Sequence, residues 1–175
     1  MYLQCMSVTI ATTQDIPSLV SLLNSAYRGD ASKKGWTTEA DMIEGSLRTD
    51  ETNLGELMQQ PGAVILKYTG TENKIEGCVY LRKEDKKLYL GMLSVSPLIQ
   101  ARGIGKQLMT AAEIYATEQA CTSIYMRVIS IRYELIAWYE RKGYYNTGIT
   151  QPFPNDTKFG TPKQPIEFIL MQKDL

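Results

Sequence analysis

The stretch Leu93-Ser94-Val95-Ser96-Pro97-Leu98-Ile99-Gln100-Ala101-Arg102-Gly103-Ile104-Gly105-Lys106 joins an apolar, strand-like run to an amphipathic helix through a glycine-containing turn. Gly103 and Gly105 carry no Cβ atoms, so consecutive backbone N–H groups of the first helical turn can approach an anion at the positive end of the helix dipole. Arg102 and Lys106 add positive charge beside them. The turn therefore predicts a cradle for a diphosphate group.

Two common phosphate-binding motifs do not fit this turn. A dinucleotide fingerprint would need its third glycine at Leu108, and a Walker loop would need a glycine at Gln100 and a Ser or Thr at Gln107. A diphosphate cradle that works without a metal ion is the remaining functional interpretation. On these residues alone, an ordinary glycine-containing helix start is the alternative.

The residues around the turn predict alternating strands and helices. Three strand-like runs before it indicate an antiparallel meander, and the later pattern alternates between periods of 2 and 3.6 residues. The predicted strands are 63–68, 75–82, 88–95, 123–129, one that starts at Tyr144, and 167–172; the predicted helices are 103–119 and 132–142, the second closed by Gly143.

The N-terminal third predicts further helices. A capping box at Thr12 to Asp15 opens a helix whose apolar stripe extends to Tyr27, and a second box at Thr38 to Asp41 predicts a helix through Leu47. A short helix is expected over 53–60.

Residues 151–165 hold four prolines, which indicates a functional or a disordered loop. We expect an α/β (α+β) class of fold, a single domain over residues 1–175, with a mixed sheet covered by helices on both faces.

Composition excludes several kinds of chemistry. Nineteen basic residues balance nineteen acidic ones, so no global field attracts nucleic acid or an anionic membrane, and the absence of histidine removes histidine bases and imidazole metal sites. Cys5, Cys78 and Cys121 are widely spaced, which favours neither a disulfide framework nor a zinc site. We expect a cytoplasmic protein with no metal, no nucleic-acid partner and no membrane span.

Two segments resemble the signatures of a known superfamily. Residues 100–105, QARGIG, fit the Q/R-x-x-G-x-G/A signature of the GNAT superfamily of acetyl-CoA-dependent N-acetyltransferases, and residues 137–144, AWYERKGY, resemble its second signature. The resemblance implies a mostly antiparallel sheet of about six to seven strands. It also implies that strands 88–95 and 123–129 form a parallel pair that splays apart around the pantetheine arm of the cofactor.

The resemblance implies roles for individual residues. Tyr139 matches the tyrosine that protonates the leaving thiolate, whereas Arg132 stands where asparagine is common. The residues implied to contact acetyl-CoA are Leu93, Ser94, Val95, Gln100, Ala101, Arg102, Gly103, Ile104, Gly105, Lys106 and Arg132.

The acceptor side is less defined by the sequence. Some members of the family have a glutamate base at a position that corresponds to about Tyr89 here, so the general base is unassigned. Glu39 and Glu167 are candidates for it, although such carboxylates are more often solvated. By the resemblance, Tyr27, Trp36, Phe153 and Phe159 line the acceptor pocket; core packing is an equal alternative for Tyr27 and Trp36. Residues 37–60 contain six acidic residues and a single basic one, Arg48. This excess of negative charge indicates either a solvated helix face or a surface that attracts a cationic amine.

The resemblance thus implies transfer of an acetyl group from acetyl-CoA to a primary amine of a small molecule or peptide, which we expect to occur by direct attack in a ternary complex. A non-catalytic acyl-CoA-binding or regulatory module and an enzyme for a longer acyl-CoA are the alternatives. Homodimer formation is left open.

Overall fold

Nine strands, five α-helices and one 3₁₀ helix (Thr13–Asp15) form in the part of the chain that a computed structural model describes, residues 8–99 and 102–175. The strands are β1 (Val8–Ile10), β2 (Ile43–Glu44), β3 (Ala63–Thr69), β4 (Ile75–Glu84), β5 (Lys87–Val95), β6 (Ser123–Ile129), β7 (Tyr145–Pro152), β8 (Thr161–Pro162) and β9 (Glu167–Asp174). The helices are α1 (Ile16–Tyr27), α2 (Gly29–Ser32), α3 (Glu51–Gln59), α4 (Ile104–Glu118) and α5 (Tyr133–Glu140). The predicted meander, the helix after the glycine turn and the elements that follow it are confirmed within a few residues.

Seven of these strands form one sheet, in the order β1-β3-β4-β5-β6-β9-β7. Neighbouring strands are antiparallel except for β5 and β6, which run parallel. Residues 87–89 of β5 pair with residues 123–125 of β6, and the two strands have no paired residues beyond that point. The mixed, mostly antiparallel sheet with a splayed parallel pair is therefore confirmed.

A β-bulge in β5 accompanies the separation from β6. Cys78 of β4 is opposite Ser94 and Tyr80 is opposite Gly91, so two residues of β5 face the single Val79. One of these two, Met92, has a left-handed backbone with φ of 52°. A bulge bends the strand that carries the extra residue, which turns the last residues of β5 away from their parallel neighbour.

Helices cover both faces of the sheet. Alternate residues of β4 point to opposite sides: Val79 and Leu81 join the core under α4, while Cys78 and Tyr80 join the core under α1 and α3. Within residues 8–99 and 102–175, no helix combines the length and the apolar character needed to cross a lipid bilayer.

The helix predicted after the second capping box is wrong. The hydroxyl of Thr38 interacts with that of Ser32 at 2.6 Å and accepts the Ala40 amide at 3.3 Å, so it does not cap a helix at Asp41. Residues 43–44 instead form β2, which pairs with β8 and buries Ile43. Long-range pairing with the proline-containing loop thus overrides the local capping pattern, and it also gives that loop an ordered strand.

The α4 core is the basis of a stability prediction. Leu108 on α4 is fully buried, whereas Ile114 on the same helix is half exposed. We expect Leu108→Ala to lower the free energy of unfolding by about 2–5 kcal/mol, because it removes buried methyl groups and leaves a cavity. Urea denaturation measures the loss, with Ile114→Ala as the control, which we expect to change stability by less than about 1 kcal/mol. Equal losses for the two variants would contradict the packing of α4.

Candidate active site

Two cavities flank the point where β5 and β6 separate. The first, here called the loop cavity, has a volume of about 430 Å³ and is lined by the glycine turn, the start of α4 and residues of α5. The second, here called the cleft cavity, has a volume of about 420 Å³ and is lined by β5, β6, α5 and the loop between β7 and β8. Leu135 of α5 lines both. The splayed strands therefore bring two binding volumes of small-molecule size together.

The start of α4 presents unpaired backbone donors to the loop cavity. Gly103 has a left-handed backbone with φ of 69°, and no side chain caps the helix. The amide of Gln107 is the first that donates to a preceding carbonyl, that of Gly103, at 3.0 Å. The amides of Ile104, Gly105 and Lys106 precede it and have no acceptor among the described residues, as expected for a helix start. These amides can bind an anion.

Positive side chains surround the same cavity. Arg102, Lys106, Arg141 and Lys142 line it together with one carboxylate, that of Glu134. A Cβ at Gly103 would meet no atom within 4 Å, so the turn is open to a ligand on that side. The predicted residues Gln100 and Ala101 lie outside the described residues.

An aromatic wall closes one side of the loop cavity. The rings of Trp36 and Trp138 lie 4.9 Å apart between centroids, and a Cβ at Gly105 would come within 3.1 Å of Trp36 Cζ2. Gly105 thus allows Trp36 to pack on the helix start. Arg132 Nη2 donates to the Trp36 carbonyl at 2.8 Å.

Trp36 and Arg132 are hydrogen-bonded neighbours that line different cavities. Trp36 lines the loop cavity and Arg132 lines the cleft cavity. The Trp36–Trp138 contact and the Arg132 hydrogen bond explain this arrangement, because both depend on how the segment after α2 packs against α5.

The bulged end of β5 is held from the α1 side. Tyr27 donates its hydroxyl to the Leu93 carbonyl at 2.7 Å, and burial raises the pKa of Tyr27 above the usual range of a phenol. Leu93 lines the cleft cavity and Val95 the loop cavity. Ser94 lines neither, because its buried hydroxyl lies 3.3 Å from Cys78 Sγ. Tyr27 therefore supports the strand and also lines the cleft.

Tyr139 lines the cleft cavity from α5. Its ring makes edge contacts with Trp138 and Tyr144, at 5.1 and 5.8 Å between centroids. The side chain is only 5% exposed, and its hydroxyl donates no hydrogen bond to a described residue. Burial raises the pKa of Tyr139 above the usual range, so the phenol keeps its proton at neutral pH. The site thus contains a protonated donor that has no hydrogen-bond partner within residues 8–99 and 102–175.

A buried ion pair forms the far wall of the cleft cavity. Arg28 Nη1 donates to Glu39 Oε2 at 2.5 Å, and Arg28 Nη2 donates to the Phe159 carbonyl at 2.9 Å. Phe153 also lines the cavity and packs on Phe168 at 5.2 Å. The other candidate base, Glu167, is exposed on β9 and does not line the cleft.

Sequence reasoning missed the arginines of the cleft. Arg28, Arg48 and Arg127 line the cavity, but none belongs to a motif. One sequence feature could have pointed to Arg48: it is the single basic residue in the acidic segment 37–60.

The fold and the two cavities define a class of protein: an α/β domain in which a splayed parallel strand pair is flanked by a glycine turn with unpaired amides and by a second, arginine-lined cleft. Residues 17–144 match the Acetyltransferase (GNAT) family model. The chain belongs to the GNAT acetyltransferase family and is an N-acetyltransferase. The sequence matches no curated protein at a significant level.

Solved structures share the fold at low sequence identity. A ribosomal-protein-S18-alanine N-acetyltransferase from Escherichia coli is 14% identical, with a TM-score of 0.70 over 95% of this chain and 92% of that one. A ribosomal-protein-alanine N-acetyltransferase from Brucella melitensis is 18% identical, with a TM-score of 0.69 over 96% and 99% of the two chains. A putative phosphinothricin N-acetyltransferase is 11% identical, with a TM-score of 0.72 over 97% and 98%. At these identities the likeness extends to the fold alone.

The Arg28–Glu39 pair gives a second stability prediction. The two side chains are 3% and 12% exposed, so Glu39→Gln leaves a buried guanidinium without its counter-charge. We expect a loss of about 3 kcal/mol in the free energy of unfolding, measured by urea denaturation. Asp30→Asn is the control, because the Asp30 carboxylate is fully exposed and lies 3.6 Å from Lys33 Nζ. A loss for Glu39→Gln no greater than that for Asp30→Asn would argue against a buried pair.

Proposed function

We propose that this N-acetyltransferase moves the acetyl group of acetyl-CoA directly to a primary amine of a small molecule or peptide, in a ternary complex formed by one domain. The observation that carries the proposal is the meeting of the two cavities at the splayed strands, with Tyr139 on the cleft side. The GNAT family uses acetyl-CoA as co-substrate.

The loop cavity fits the diphosphate of coenzyme A. The amides of Ile104, Gly105 and Lys106 have no acceptor in the part of the chain that the structure describes, so they can bind phosphate oxygens, and Arg102 and Lys106 supply opposite charge. The main chain of Val95 lies at the strand edge left without a β6 partner, where an amide-containing arm can bind as an added strand. When bound there, acetyl-CoA supplies an activated acetyl thioester.

Tyr139 is the proposed general acid. Its phenol is protonated at neutral pH, so it can hold a proton at its Oη and give it up to a thiolate formed in the cleft. A free thiol has a pKa near ~8.5, so a thiolate that leaves near neutral pH benefits from such a donor.

Direct transfer is favoured over a covalent relay through cysteine. Burial raises the pKa of the Cys78 thiol to about 12, and neither Cys78 nor Cys121 lines either cavity. Cys5 lies outside the described residues. A buried thiol that keeps its proton is a poor nucleophile.

Thiol release tests the proposal. We expect the purified protein to release free coenzyme A from acetyl-CoA only when an acceptor amine is present. We expect Tyr139→Phe to lower kcat about a hundredfold or more, with the KM for acetyl-CoA within about twofold of the unmodified protein, because only proton donation is lost.

Tyr133→Phe is the matched control for this experiment, since Tyr133 lies on the same helix and is 74% exposed. An unchanged kcat for Tyr139→Phe would assign the acid to another group. Binding of coenzyme A without amine-dependent thiol release would instead support a non-catalytic binding module.

Coenzyme A binding tests the cradle separately. Gly103→Val places a β-branched side chain at a left-handed position beside the unpaired amides, so we expect affinity for coenzyme A to fall at least tenfold by calorimetry. Gly148→Val is the control, because Gly148 is also left-handed, with φ of 80° and open space around it, but it lies on β7 outside both cavities. Unchanged affinity in Gly103→Val would refute the cradle.

A further inference from the structure

The cleft cavity is rich in guanidinium groups. Four arginines line it, against two carboxylates: Arg28, Arg48, Arg127 and Arg132 against Glu39 and Asp156. Only Arg28 pairs with one of these acids, and its buried Nε has no hydrogen-bond partner among the described residues. Asp156 is exposed, and its Oδ1 accepts the Lys158 amide. The cavity therefore offers more positive charge and more donors than its own lining carboxylates neutralise.

Arg48 is the arginine best placed to meet a small acceptor. It is half-buried, and its guanidinium carbon lies 5.4 Å from the centroid of the Tyr27 ring. Among the described residues, no carboxylate forms an ion pair with its side chain. Because Tyr27 holds the Leu93 carbonyl, Arg48 lies near the bulged strand where the two cavities meet.

Arg132 and Arg127 add charge to the same volume. Arg132 donates a hydrogen bond from Nη2 to the Trp36 carbonyl and forms no ion pair within the described residues. Arg127 packs its guanidinium over the ring of Tyr89, 5.4 Å from the centroid. A guanidinium presents five donors, so both retain N–H groups for an anion.

These arginines are not required by the diphosphate of the cofactor. The loop cavity has its own cations, Arg102, Lys106, Arg141 and Lys142, none of which lines the cleft cavity. Of the six acidic residues between 37 and 60, only Glu39 lines the cleft. The local charge thus disfavours a polycationic acceptor, because like charges would face each other.

We propose that the acceptor is a small amine that also carries a carboxylate, such as an amino acid, and that Arg48 binds this carboxylate within the field of Arg127 and Arg132. This inference rests on the proposed acetyl transfer and names the substrate class of the same cleft. A guanidinium matches the planar geometry of a carboxylate through two parallel hydrogen bonds. Arg48 and Tyr139 line the same cavity, so a small acceptor bound at Arg48 occupies the volume that also holds the proposed general acid.

Matched acceptors test the inference on the unmodified protein. The probes are the twenty amino acids, their carboxamides, the corresponding amines that lack the carboxylate, polyamines and aminoglycosides. Each is incubated with the protein and acetyl-CoA, and the released thiol of coenzyme A is measured. We expect at least one amino acid to be acetylated with a kcat/KM about ten- to a hundredfold above that of its carboxamide.

A variant tests the residue. Arg48→Gln is expected to raise the KM for the accepted amino acid about ten- to a hundredfold and to leave the KM for its carboxamide nearly unchanged, because only the charged contact is lost. Lys86→Gln is the control, since it removes one positive charge from an exposed turn outside both cavities. Thermal unfolding of both variants checks that the fold is kept.

The outcomes separate the inference from the proposed function. Equal use of amino acids and carboxamides, or preference for polyamines or aminoglycosides, overturns the inference and leaves acetyl transfer standing. Equal effects of Arg48→Gln on both members of a pair also overturn it. If no amine in the panel causes thiol release, the proposed acetyl transfer to amines is contradicted. The inference about the acceptor is then contradicted as well.

Discussion

The separation of β5 from β6 is the constraint on which the site depends. A strand that leaves its neighbour exposes backbone donors and acceptors, and each one buried without a partner costs about 1–3 kcal/mol. Tyr27 satisfies one of them by donating to the Leu93 carbonyl at 2.7 Å. The bulge at Met92 and this hydrogen bond from α1 therefore stabilise a strand edge that an ordinary sheet would not leave open.

A series of aromatic contacts links the two sides of that opening. Trp36 contacts Trp138, Trp138 contacts Tyr139, and Tyr139 contacts Tyr144, each pair within 6 Å between centroids. Such pairs contribute about 0.5–1.5 kcal/mol each beyond the burial of their area. Since Trp36 lines the loop cavity and Tyr139 the cleft cavity, the wall that shapes the first also fixes the ring that lines the second.

The sequence predicted the elements whose patterns are local. The glycine turn, α4, β6 and α5 follow from hydrophobic period and turn residues, and the structure has them at nearly the expected bounds. The second capping box failed because Ile43 is buried by pairing between β2 and β8, which are more than a hundred residues apart in the chain. Likewise, which cavity Trp36 and Arg132 each line depends on a contact between segments that are distant in the chain. The hydrophobic period of the sequence does not encode such a contact.

The arrangement of charge explains why composition revealed so little about the acceptor. A net charge of zero is compatible with two separate cationic cavities, because the balancing carboxylates are largely on the surface, as Glu44, Glu51 and Glu56 are. Four cations line the loop cavity and four arginines line the cleft cavity, and none is common to both. In the proposed reaction, the anionic parts of the two substrates are therefore drawn to opposite ends of the site. Their reacting groups then meet in the middle, beside Leu93 and Tyr139, where a buried phenol keeps its proton.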